Sequence, residues 1–126
     1  MHRLFVYGTL RKNQNNNYYL KNSRFEGLDS IKGFIMLDFG DYPMIFEAGA
    51  EDIIIVEIFE VDEYTLKRID ILEGYKGDFN INNLYSRKIV ESMSGLSGYI
   101  YTIESPDKFP GLNIIKSGDW LSKSHK

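Results

Sequence analysis

No cysteine occurs anywhere in the 126 residues, which removes disulfides, thiolate zinc sites and cysteine nucleophiles together. Such usage fits a reducing compartment, so a cytoplasmic location is expected. Histidine is nearly missing as well. His2 and His125 sit at the two ends, where chains are least ordered, so neither a Ser/His/Asp triad nor a histidine metal site is expected. The longest purely aliphatic run is Ile53-Ile54-Ile55-Val56, far short of the ~20 apolar residues of a spanning helix. The first residues carry no signal-peptide pattern, and no membrane partner is expected. Fifteen basic against eighteen acidic residues leave a formal charge of −3, with no cluster of Lys and Arg long enough to follow a phosphate backbone. No nucleic acid partner is therefore expected. Neither GxxxxGK nor GxGxxG occurs, so phosphate and dinucleotide cradles lack their defining residues.

What the chain does have is apolar and aromatic. It is 43% hydrophobic and 14% aromatic, with eight Phe and nine Tyr, the composition of a globular chain whose sheet core or cavity is rich in rings. The length corresponds to one domain spanning residues 1–126, since domains run to roughly 100–200 residues. The most informative stretch is Leu4-Phe5-Val6-Tyr7-Gly8-Thr9-Leu10-Arg11. Four apolar or aromatic residues stop at a glycine, as a buried strand does where the backbone turns tightly or lets something approach. Backbone N–H groups, a hydroxyl and the cation of Arg11 are gathered within one turn, an anion or oxyanion cradle.

Further along, the polar tract 13–17 reads as a solvated loop or a short helix start. Residues 24–46 are strand-like, punctuated by Gly27, Gly33 and Gly40. Gly40-Asp41-Tyr42-Pro43 is a turn in which proline holds Tyr42 extended. Ile53–Val61 is apolar on both faces and belongs in the centre of a sheet or the wall of a small barrel. It carries Glu57 on a core-facing position, at a frayed strand end or paired with an arginine. Asp62 caps a helix over Glu63–Glu73 that stops at Gly74. Leu66, Ile69 and Leu72 form its buried stripe, and helical spacing carries the Glu73 carboxylate onto the same inward face. Strands are predicted over 84–90 and 98–103, joined through the Ser94-Gly95 turn and bearing Tyr85, Arg87, Tyr99 and Tyr101. Trp120 anchors the C-terminal segment against the body.

Elimination leaves a carboxylate as the group able to move a proton, with tyrosines to orient a polar ligand. Glu73 is the best-placed candidate, because a carboxyl partly desolvated on an inward helix face has its pKa raised toward the range of a useful base.

Five landmarks in this order carry a resemblance: Tyr7-Gly8-Thr9-Leu10, Gly40-Asp41-Tyr42-Pro43, Ile69-Asp70-Ile71-Leu72-Glu73-Gly74, Leu84-Tyr85-Ser86-Arg87 and Ser117-Gly118-Asp119-Trp120. Together they resemble the γ-glutamylcyclotransferase-like (AIG2-like) family, nearest its small bacterial YtfP-type and γ-glutamylamine cyclotransferase members. The resemblance covers nearly the whole chain. It implies an α+β fold, a small mixed β-barrel flanked by short helices. It also implies intramolecular attack of a γ-glutamyl α-amine on its own side-chain carbonyl, releasing 5-oxoproline and an amine. Carried over residue by residue, the substrate loop falls on Tyr7, Gly8, Thr9 and Leu10, and the catalytic acid falls on Glu73. Tyr42, Tyr85 and Tyr101 are expected to line the pocket, with loops 13–19 and 76–83 building its far side. The expected partner is a small γ-glutamyl molecule. Neither a metal nor a cofactor is expected, because the nucleophile is already tethered to the carbonyl. A non-catalytic module binding an amino-acid-like anion in the same cavity is the alternative. No sequence feature specifies an oligomeric state.

Overall fold

The computed structural model of the chain describes residues 1–49, 51–78, 80 and 83–123. Its strands and helix, in chain order, are β1 (His2–Val6), β2 (Arg24–Lys32), β3 (Phe34–Asp38), β4 (Pro43–Glu47), β5 (Ile53–Val61), α1 (Glu63–Glu73), β6 (Ser86–Glu91), β7 (Ser97–Thr102) and β8 (Asn113–Ile114). Short 3-10 turns occupy Asn17–Leu20, Pro106–Lys108 and Trp120–Ser122.

The doubly apolar run Ile53–Val61 lies, as its pattern requires, inside a sheet. The five-stranded sheet has the order β2-β5-β1-β7-β6, so β5 is covered by neighbours on both edges. All its pairings are antiparallel except β1 with β7, which run parallel in register Leu4 with Tyr99. A second sheet of three strands has the order β4-β3-β8. The two sheets are joined where the chain leaves β7. There Ile103 N–H donates to the Ile45 carbonyl at 2.9 Å, and the Thr102 hydroxyl donates to the same oxygen at 2.9 Å.

The α+β class therefore holds, while the expected barrel is corrected. β2 and β6 remain the outer strands of an open sheet, and no ladder among the described strands closes one sheet onto the other. Besides the bonds to Ile45, the sheets meet at Gly33, between β2 and β3, whose N–H donates to the Asp52 carbonyl at 2.8 Å and whose carbonyl accepts from Ala48 N–H at 2.9 Å; these are isolated bonds at strand ends, not a shared ladder.

β1 separates two layers of core by the alternation of its side chains. Leu4 and Val6 pack with Leu66 and Ile69 of α1. Phe5 and Tyr7 pack on the other side with Met36, Ile45, Ile54, Ile100 and Trp120. Each such side chain contributes about 1.5–3 kcal/mol by leaving water. Trp120 thus holds the C-terminal segment to the body.

The helix has the predicted limits because both ends are locally encoded. The Asp62 side chain accepts from Thr65 N–H at 2.7 Å, a side-chain N-cap. Gly74 adopts φ +70° and ψ +30°, the left-handed stop that glycine tolerates. The strand predicted over 84–90 starts later, at Ser86. Leu84 and Tyr85 are held instead by the helix end, their N–H groups donating to the carbonyls of Gly74 at 3.1 Å and Glu73 at 3.3 Å. Those carbonyls have no partner within the helix, and satisfying them draws Tyr85 against Glu73.

Candidate active site

Beyond β1 the backbone turns at once: Arg11 N–H donates to the Gly8 carbonyl at 3.0 Å. Within that turn the N–H groups of Gly8, Thr9 and Leu10 donate to no backbone or side-chain acceptor among the described residues. The tract 13–17 ties the turn down. Asn16 donates from its backbone to the Thr9 carbonyl at 2.8 Å and from its side chain to the Thr9 hydroxyl at 2.9 Å. The Asn17 side chain donates to the Leu10 carbonyl at 2.8 Å. Because the Thr9 oxygen already accepts from Asn16, its own proton is free to point at a ligand.

The turn opens into a cavity of about 380 Å³. Its wall includes all eight residues nominated from the sequence: Tyr7, Gly8, Thr9, Leu10, Tyr42, Glu73, Tyr85 and Tyr101. Gly8 lies so close to Pro43 that a Cβ there would stand 2.7 Å from the proline ring. Gly8→Ala is expected to displace the Tyr42-Pro43 wall, at a cost of about 1–3 kcal/mol. Urea unfolding measures that loss.

Glu73, at the last turn of α1, is partly buried, and its carboxyl accepts no hydrogen bond from a described residue and pairs with no cation. Burial pushes its pKa up from the ordinary 4.5 to about 7, since desolvation disfavours the charged form. The neighbouring tyrosines are raised too, first by burial and then by charges that include Glu73. They are neutral hydroxyls near pH 7. Each donates its proton to a protein oxygen: Tyr7 to the Tyr101 carbonyl at 2.8 Å, Tyr85 to the Pro43 carbonyl at 3.2 Å, and Tyr101 to Asp70 at 2.5 Å. With those protons engaged, each phenol has only oxygen lone pairs left to offer.

Two arginines, Arg87 within a landmark and Arg11 directly after one, are drawn elsewhere. The Arg87 guanidinium donates twice to Asp70, at 2.8 and 3.0 Å, and lies over the rings of Tyr75 and Tyr99. Arg11 corrects the sequence reading, which placed its charge in the cradle. It is buried and turned away from the cavity, donating to Glu57 at 2.9 Å and to Asp119 at 2.7 Å. Glu57 is buried too, and its second oxygen accepts from Lys12 N–H at 2.8 Å. A carboxylate inside a sheet needs a cation, so Glu57 claims Arg11 and the cradle is left with its N–H groups and the Thr9 hydroxyl, without a cation.

Asp41 and Leu84, which the sequence reading did not nominate, also line the cavity. Position beside a nominated residue was the available signal for Asp41 and Leu84. Asn15 and Asn16 of the first loop line the cavity, on the side of the turn to which Asn16 is bonded, and no described residue of 76–83 reaches the wall. Phe79, Ile81 and Asn82 of that loop lie outside the described residues, as does His125. No group of three or more metal-ligating side chains occurs among the described residues, and no described helix is long and apolar enough to cross a membrane.

Residues 4–122 match the family described as gamma-glutamyl cyclotransferase, AIG2-like, and the chain belongs to that family. Among its relatives is the gamma-glutamylcyclotransferase family protein YtfP of Escherichia coli K12, 31% identical over 96% of this chain and 97% of that one. The solution structure of the E. coli protein superposes with a TM-score of 0.69, covering 95% of this chain and 96% of that chain. The gamma-L-glutamyl-butirosin B gamma-glutamyl cyclotransferase of Niallia circulans is 36% identical, over 85% of this chain and 70% of the relative. The crystal structure of PH0828 from Pyrococcus horikoshii gives a TM-score of 0.75 at 31% identity, covering 95% of this chain and 90% of that chain.

Proposed function

We propose that the protein is a γ-glutamyl cyclotransferase that converts a γ-glutamyl-amine or γ-glutamyl peptide into 5-oxoproline and a free amine. One observation carries the reading: an unpartnered carboxyl with its pKa raised to about 7 shares a cavity with three unengaged backbone N–H groups. In this reading Glu73 removes a proton from the α-ammonium, and the freed amine attacks the γ-carbonyl. The new C–N bond closes the five-membered ring. The N–H groups of residues 8–10 receive the negative charge that develops on the carbonyl oxygen, or the substrate carboxylate. Collapse of the intermediate breaks the original amide C–N bond; Glu73 returns its proton to the departing nitrogen and takes up the ring nitrogen's second proton, which leaves with the amine as an ammonium. Water is neither consumed nor formed. The lone pairs of Tyr7, Tyr85 and Tyr101 orient the ammonium, and Tyr42 forms part of the wall. Since attacking and attacked atoms belong to one molecule, positioning supplies much of the rate and no cofactor is required.

The test is incubation of purified protein with a panel of γ-glutamyl dipeptides, γ-glutamyl-alkylamines and γ-glutamyl-ε-lysine, followed by chromatographic detection of 5-oxoproline. Release of 5-oxoproline with one equivalent of amine is the expected result. Ligand-induced thermal stabilisation without product, across the panel, would instead identify a binding module.

A further inference from the structure

Among the described residues the cavity wall holds two ionisable acids, Glu73 and Asp41, and no Lys, Arg or His. The arginines closest in sequence to wall residues are neutralised elsewhere, Arg11 by Glu57 and Asp119 and Arg87 by Asp70. The two acids differ in their surroundings. Glu73 is partly buried, whereas Asp41 is exposed and therefore stands at the mouth. The Asp41 carboxylate makes no hydrogen bond or ion pair with another described residue. Its neighbours in the turn are fixed by other contacts: the Tyr42 carbonyl accepts from Phe39 N–H at 3.1 Å, and the Tyr42 ring packs on Phe39. The turn that carries Asp41 is thus fixed, and its carboxylate is unpaired among the described residues.

Resting on the proposed function, we infer that Asp41 selects γ-glutamyl-amines whose departing amine carries a second, positively charged group. A γ-glutamyl head bears one ammonium and one carboxylate and is neutral overall. Any charge further along the substrate must meet the mouth of a cavity that is already negative. A γ-glutamyl peptide brings its terminal carboxylate to that mouth and is repelled by Asp41. A γ-glutamyl diamine brings an ammonium and is attracted, with Asn15 at the same wall able to share its protons. The preferred substrate class is therefore the γ-glutamyl amide of a diamine or a similar polycation.

The experiment compares three γ-glutamyl amides of equal chain length, made from a diamine, an alkylamine and an ω-amino acid. The chain is used intact, as wild type, Asp41→Asn and Asp41→Lys. kcat/KM is measured where turnover occurs, and Kd by calorimetry on the same compounds where it does not. At low ionic strength the wild type is expected to favour the cationic over the anionic amide by about tenfold, as befits an exposed and screened charge. Asp41→Asn is expected to reduce that ratio by about threefold, Asp41→Lys to invert it, and added salt to flatten it in the wild type. Cyclisation with a ratio near one, or with a ratio that neither variant changes, overturns the role of Asp41 and leaves the cyclotransferase reading standing. Binding that follows the predicted charge order without product supports the role of Asp41 and overturns the catalytic reading. Absence of both turnover and binding removes the two together.

Discussion

Glu73→Gln is expected to lower cyclisation by about 10²–10⁴-fold, the usual contribution of a positioned acid/base, while making the fold more stable above pH 7. The two effects have one cause. The carboxyl ionises at 4.5 under ordinary conditions and near 7 in the fold, because burial disfavours its charge. Between those values the folded chain holds a proton that the unfolded chain has released. Stability consequently falls as pH rises from about 4.5 through about 7, and stays lowered beyond it. The penalty at pH 8 amounts to about 1–3 kcal/mol, allowing for partial solvation of a partly buried side chain. Glutamine is never charged and escapes it. Chemical denaturation of both proteins at pH 5 and pH 8 should therefore show the variant's advantage growing with pH, alongside its loss of activity. A variant both inactive and destabilised at pH 8 would count against the role given to Glu73. For the wild type, the same carboxyl predicts that kcat/KM rises with pH and levels off above about 7, where the base form prevails.

The second large effect is structural. Arg11→Met is expected to destabilise the fold by about 3–5 kcal/mol, because Glu57 would remain buried in β5 without its cation. Asp119→Asn should cost much less, since the Asp119 side chain is 27% exposed and Glu57 keeps its pair with Arg11. Combining Arg11→Met with Glu57→Leu should recover part of the loss by removing the stranded charge. The recovery is incomplete because Lys12 N–H then loses its acceptor. A double-mutant cycle by urea unfolding gives the coupling between the two residues. Equal costs for Arg11→Met and Asp119→Asn would mean that Glu57 finds another partner. Since Arg11 directly follows the 8–10 turn, loosening this pair should also raise KM more than it lowers kcat. The turn would then bind from a broader set of conformations.

Much of this molecule could be read from local chemistry. The limits of α1 follow from Asp62 and Gly74, because caps act on N–H and carbonyl groups within one turn of themselves. The inward placement of Glu73 follows from helical period alone. The position of β5 inside a sheet follows from apolar residues on both faces. The turn at Gly8 follows from the abrupt end of an apolar run, and the set of cavity tyrosines from resemblance to a family with the same landmarks.

Other properties depended on partners far away in the chain. Glu57 and Asp119 lie 46 and 108 residues from Arg11, and no spacing rule connects them. Locally an arginine beside an anion cradle is indistinguishable from part of it, and the buried carboxylate that claims it comes from a distant strand. The late start of β6 reflects a competition between the helix end and the sheet for two N–H groups, decided by where α1 ends in space. The open pair of sheets depends on the isolated bonds at strand ends that join them in place of a ladder, and the alternating pattern of a strand is the same in a barrel and in an open sheet. The acidic mouth at Asp41 was likewise hidden, because an exposed Asp in a turn has the same local signature whether it faces solvent or a ligand. Sequence period and capping thus determined which elements form and which way Glu73 points. Only packing decided that its carboxyl meets no cation among the described residues, since desolvation and charge pairing depend on every group that the tertiary fold brings near.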